Sequence, residues 1–121
     1  MLVLAINPGS TSTKIAVFDE NQCRIIDKTV YHGTSETRLL DGVLAQKDMR
    51  MRYVLDTLKE NGIAPESITA VVGRGGIIKP IDSGTYIVNE AMIRDLKSAS
   101  ALVHASTLGG IIAYDIAKIF G

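Results

Sequence analysis

The chain opens on an unbroken apolar run, Leu2-Val3-Leu4-Ala5-Ile6, and breaks at once into Asn7-Pro8-Gly9-Ser10. A short apolar run closed by a dense turn signal predicts a strand buried on both faces. Thr13 to Asp19 reads the same way through Ile15, Ala16, Val17 and Phe18. Asn21 and Gln22 form a turn, and a third strand follows from Arg24 to Tyr31. Three strands joined by short turns make a meander, not a βαβ unit. The period then changes. Between about 41 and 61, Met51, Val54, Leu55 and Leu58 recur at helical spacing, and Gly62 is placed to end the helix. Lys47, Arg50, Lys59 and Glu60 form the charged face of that helix, where i,i+3 and i,i+4 partners make a solvated role sufficient.

Further on, Pro65-Glu66-Ser67 is a turn, and Ile68 to Val72 is a short strand leading into Gly73-Arg74-Gly75-Gly76. Tyr86 to Val88 predicts a short extended piece, and Asn89 caps a helix through about Lys97. The last helix runs from about Ser106 to Phe120. It carries an apolar stripe, Leu108, Ile112, Ile116 and Ile119, and a stripe of small residues, Ser106, Gly109, Gly110, Ala113 and Ala117. Small residues allow a helix backbone to approach a sheet closely. The order is β-β-β-α-β-α-α, an α/β chain with a mixed sheet. It is not the dinucleotide-binding order, which demands a helix directly after the first strand.

Composition narrows the function classes. The chain has 121 residues, 13 Lys+Arg and 13 Asp+Glu, and hence no net charge. With 46% apolar residues it reads as one folded domain rather than a disordered segment. A zero balance offers no basic footprint for nucleic acid and no polybasic handle for a membrane. No apolar run approaches the roughly 18 residues of a membrane span, and the apolar start lacks the basic flank of a signal peptide. Cys23 is alone, which excludes an internal disulfide and a cysteine zinc site and points to a reduced, cytoplasmic setting.

The chemistry concentrates in Asn7-Pro8-Gly9-Ser10-Thr11-Ser12-Thr13-Lys14. A turn between buried strands should be economical, yet this one holds four hydroxyls, an amide and a lysine. Ser12 and Lys14, if extended, point to one face. Gly9 frees the backbone to turn N–H groups toward an anion. Lys14 supplies a point charge, and a lysine at the start of a buried strand is costly without a partner. Asn7 offers a neutral oxygen that could orient a magnesium-bound water or a phosphate. Two other phosphate motifs are excluded. No Gly-x4-Gly-Lys-Ser/Thr segment exists, and the Gly-x-Gly begun by Gly73 and Gly75 fails at Ile78. Arg74, flanked by glycines, reads either as a surface arginine in a turn or as a guanidinium that pairs a carboxylate or phosphoryl group bidentately. His104 reads equally as a hydrogen-bonded histidine at a helix start. His32 reads as a loop residue.

The segment Ile6-Asn7-Pro8-Gly9-Ser10-Thr11-Ser12-Thr13-Lys14 resembles the first phosphate loop of the acetate and butyrate kinase family, within the actin–Hsp70–sugar kinase superfamily. Two further blocks, Ala70 to Pro80 and His104 to Ala113, resemble the butyrate kinase branch. The three keep their order and span nearly the whole chain. The resemblance implies a ribonuclease H-like, actin-like ATPase lobe. It implies transfer of the γ-phosphoryl group of ATP to a short-chain carboxylate, butyrate or a branched analogue, with Mg2+. By the family pattern Asn7, Gly9, Ser10, Ser12 and Lys14 handle phosphate, Asn7 also metal, Arg74 serves catalysis and substrate, and His104 lies near the acyl pocket. The Asn at position 7 matches the acyl kinase branch, where the superfamily often has Asp. Residues 1–121 then correspond to an N-terminal lobe, without the second lobe that completes the nucleotide cleft. The expectation is a chain inactive alone, from a full-length enzyme that is a homo-oligomer. The alternatives are a standalone phosphate-binding module and an inactive structural fragment.

Overall fold

The computed structural model describes residues 1–33, 44–75, 82, 84–98 and 105–121. Four strands form one mixed sheet in the order β3-β2-β1-β4: β1 (Leu2–Pro8), β2 (Ser12–Phe18), β3 (Arg24–Tyr31) and β4 (Ile68–Gly73). Among the described residues there are three α-helices, α1 (Lys47–Glu60), α2 (Glu90–Leu96) and α3 (Leu108–Phe120). The element order is the expected one. Short 3-10 turns lead into α1, β4 and α3. Residues 41–43 of the expected first helix lie outside the described residues, and Tyr86 to Val88 takes no regular structure. None of the helices is long and apolar enough to cross a membrane, among the described residues.

Local chemistry explains the boundaries. Between β2 and β3, Asp19 Oδ1 accepts the N–H groups of Asn21 and Cys23, each at 2.9 Å, and Gln22 takes φ +64°. This is the side-chain-stabilised turn that Asp favours. Cys23 is exposed on it. At the end of α1, Gly62 sits at φ +69°. Its N–H donates to Lys59 O, and the Ile63 N–H donates back to Leu58 O at 2.9 Å. That is the left-handed glycine stop anticipated for Gly62. At the start of α2, Asn89 Oδ1 accepts the Met92 N–H at 2.9 Å.

The strands are buried on one face, not both. Leu4 and Ile6 of β1, Ile15 and Val17 of β2 and Ile26 of β3 form a layer beneath α1 and α3. The register pairs Leu4 with Val17, Ile6 with Ile15, and Val17 with Ile26. On the other face Ala5 and Ala16 are only half-buried, and Val72 is exposed. An apolar run that reads as doubly buried is here only singly covered among the described residues. Helix α3 supplies Leu108, Ile111, Ile112 and Ile116 to the core. Ile119, placed on the buried stripe from the sequence, is exposed, and Ile111 takes a core position instead. Ile119 stands three residues after Ile116, still on the helical period of the stripe, but it lies in the last turn of α3, where the helix ends and the side chain is left to solvent.

The small residues act as expected at Gly109. A Cβ on Gly73 would overlap the Gly109 carbonyl, and a Cβ on Gly109 would overlap the Arg74 carbonyl. Gly110 faces Leu96 of α2, and Ala113 is buried, whereas Ala117 is exposed. The backbones of α3 and β4 therefore touch at the point where β4 ends, and this contact fixes the position of Arg74.

Candidate functional site

Register brings the chemistry to one end of the sheet. Asn7 pairs with Lys14 across the antiparallel β1–β2 ladder, and Ile6 pairs with Gly73 across the parallel β1–β4 ladder. The Arg74 N–H continues that ladder by donating to Ile6 O at 3.0 Å. The β1–β2 turn and the end of β4 thus emerge side by side, with the turn before α3 above them. Together they line a cleft of about 510 Å3. Asn7, Gly9, Ser10, Ser12, Lys14 and Arg74 all line it, so the structure brings together every described residue that the sequence singled out. Thr11, Gly75 and Ser106 line it as well. Ser106 was read only as part of the small-residue stripe. Its place in the turn that leads into α3 was the signal for a second role. His104 lies outside the described residues.

The turn itself is tight. The Gly9 N–H donates to Ser12 O at 2.7 Å, and the His32 N–H donates to Thr11 O at 2.8 Å. Three of the four hydroxyls line the cleft. Thr13 does not: it is wholly buried on the opposite face, as strand alternation requires. Lys14 is exposed, so the cost of burying a lysine plays no part in its case. Its case rests on its position. Lys14 and Arg74 are the charged residues of the lining, which includes no Asp or Glu among the described residues. A cleft with two cations, four hydroxyls and a glycine turn suits an anion.

One reading made from sequence is corrected, and another gains a contact. Arg50, assigned to a solvated face of α1, is completely buried. It lies four residues before Val54 and eight before Leu58, on the apolar stripe, and that spacing was the available signal. Its NH1 group donates to Ser12 O at 2.9 Å and to Thr13 Oγ1 at 3.1 Å. Its NH2 group donates to Ser10 O at 3.4 Å and to Gln46 Oε1 at 2.9 Å, and its Nε–H donates to Gln46 Oε1 at 3.2 Å. Burial holds its pKa below the ordinary arginine value, and a guanidinium remains charged there all the same. His32 lies just past β3, outside regular structure as read from the sequence, but it is not on the surface. It is buried, its Nε2 lies 2.8 Å from Thr13 Oγ1, and its ring lies 5.1 Å from that of Tyr53.

No protein-family model matches the chain. Individual proteins do. Butyrate kinase 1 of Clostridium acetobutylicum is 50% identical over 116 residues, which is 96% of this chain and 32% of the relative. Butyrate kinase 2 of the same organism is 50% identical over 119 residues, 98% of this chain and 33% of the relative. The chain is homologous to the butyrate kinases. It spans about a third of the length of these two relatives. The match runs along nearly the whole chain, as the three-block resemblance to the butyrate kinase branch implies.

Proposed function

We propose that this chain is part of a short-chain carboxylate kinase of the butyrate type, and that its cleft cradles the phosphoryl groups of ATP. The carrying observation is the convergence of Asn7, Ser10, Ser12, Lys14 and Arg74 on one anion-suited cleft, in a chain 50% identical to two butyrate kinases. The β3-β2-β1-β4 sheet with its covering helices is consistent with an actin-like ATPase lobe. Phosphoryl transfer to a carboxylate, giving an acyl phosphate, depends on positioning and charge stabilisation more than on covalent chemistry by the protein. Lys14 serves as a point charge toward phosphate. Arg74, with its planar fork, serves the transferring group or the substrate carboxylate. His104 belongs to the acyl side of the site in this reading. Turnover is a property proposed for the whole protein, since the relatives are about three times as long.

The donor set fits magnesium only as a companion of the nucleotide. The cleft offers the neutral amide oxygen of Asn7 and hydroxyls. The described residues hold no cluster of three His, Cys, Asp or Glu side chains. Mg2+ keeps several waters and binds largely through substrate phosphates, so Asn7 would orient it, and the ion would neutralise charge on the phosphates.

Titration of the chain with Mg-ATP and with inorganic phosphate, followed by calorimetry or amide shifts, tests the site. Lys14→Ala and Asn7→Ala should each weaken binding. For Lys14 the loss should be about tenfold or more, the size of one charge-assisted hydrogen bond. Unchanged affinity in both variants would remove these residues from the site.

A further inference from the structure

We propose that Arg50 is the positioning residue of the phosphate loop, its buried guanidinium gripping the loop from behind so that the front presents donors to an anion. The inference rests on the reading of the cleft as a phosphate site, and it concerns a side chain that does not line that cleft. Three observations carry it. First, all five N–H groups of Arg50 are used, and three of the bonds go to the loop and the residue after it: Ser10 O, Ser12 O and Thr13 Oγ1. Holding the Ser10 and Ser12 carbonyls rearward commits the peptide planes, and so the directions of the neighbouring N–H groups. Second, Ser12 O accepts both Arg50 NH1 and the Gly9 N–H. The arginine therefore locks the same carbonyl that closes the tight turn. Third, the guanidinium is itself held. Gln46 Oε1 accepts from Nε and NH2, and Gln46 is buried beside it.

The arrangement has an electrostatic consequence. No carboxylate pairs with Arg50 among the described residues. Its partners are neutral oxygens, which satisfy its donors and leave its charge uncancelled. A charge in a low-dielectric interior acts over a longer range than one in water. Arg50 thus adds to the positive field of Lys14 and Arg74 from the inner side of the loop. A lysine at this position would keep the charge and lose the planar fork that spans Gln46 and the two carbonyls.

The test uses Arg50→Lys, Arg50→Met and Gln46→Ala in the chain, with inorganic pyrophosphate as the probe and amide hydrogen exchange as a second readout. The Gly9 and His32 amides report the loop, because they bond to Ser12 O and Thr11 O. In Arg50→Lys these amides should exchange at least about tenfold faster, while core strand amides keep their protection. Pyrophosphate affinity of the folded variant should fall roughly tenfold to a hundredfold, the worth of one charge-assisted hydrogen bond that the loosened loop no longer presents. Arg50→Met should lose more, having lost charge as well as fork. Gln46→Ala should show a smaller loss in the same direction, and it decides the matter if the arginine variants do not fold. The proposal is overturned if Arg50→Lys, or Gln46→Ala in its place, binds pyrophosphate like the parent chain. It is equally overturned if loop amides loosen only in step with the whole core. A parent chain that does not bind pyrophosphate refutes the phosphate reading instead, and the exchange comparison still reads the grip of Arg50 on the loop.

Discussion

The substitution Gly73→Ala probes the contact that holds α3 against the end of β4. The added Cβ would overlap the Gly109 carbonyl oxygen and carbon and press on the Gly110 nitrogen. All are backbone atoms, so no side chain can swing aside. Relief requires α3 to retreat by on the order of 1 Å, and a gap of that width forfeits roughly a quarter to a half of the dispersion at each contact it opens. Leu108, Ile111, Ile112 and Ile116 are the buried residues on α3 that such a retreat would loosen. Burial of four such side chains is worth about 6–12 kcal/mol at 1.5–3 kcal/mol each. A quarter to a half of that gives a cost of roughly 1.5–6 kcal/mol, against a total stability of about 5–15 kcal/mol for a domain. Urea denaturation followed by circular dichroism measures it directly. Gly75→Ala is the control, because a Cβ there meets nothing within 4 Å among the described residues. That variant should stay within about 0.5 kcal/mol of the parent. The double variant Gly73→Ala with Gly109→Ala should cost less than the sum of the two, since one displacement of α3 relieves both overlaps. A Gly73→Ala cost indistinguishable from that of Gly75→Ala would refute the close-approach argument.

Two further outcomes follow from other parts of the fold. Lys47 Nζ donates to Asp115 at 2.8 Å, tying α1 to α3. This hydrogen bond, with the charges of Asp115 and Asp48, raises the Lys47 pKa despite partial desolvation. A cation whose pKa is raised on folding stabilises fully below its unfolded value of about 10.4 and stops doing so as pH rises through the folded value. Asp115→Asn should therefore lower the melting temperature near neutral pH and flatten the loss of stability on alkaline titration. An unchanged alkaline slope would contradict this. Asn89→Ala removes the acceptor for the Met92 N–H and should cost about 1 kcal/mol, the usual worth of such a cap. The amides of α2 should exchange faster in that variant, and a thermal melt identical to the parent would refute it.

Much of the framework was legible in the sequence, because the features that set it are local. The apolar runs at 2–6 and 13–19 place β1 and β2, Asn89 and Gly62 mark helix ends through bonds that span three to five residues, and the small residues of α3 announce a close approach. The candidate phosphate loop was equally visible, as hydroxyls and a lysine concentrated in one short turn. Nothing local shows which way each side chain finally faces. Among the described residues one face of the sheet is left open beside Val72, and in α3 Ile111 is buried while Ile119 is exposed.

The clearest division is at Arg50. By itself the sequence determined the loop proposed to meet the anion, since its residues are consecutive and their chemistry adds up within eight positions. Only the tertiary structure decided that a charged residue of α1 lies wholly buried behind that loop. Its partners Ser10, Ser12 and Thr13 are 40, 38 and 37 residues away. A guanidinium can be buried only where its donors are met, and the acceptors that meet them come together only once β1, β2 and α1 have packed.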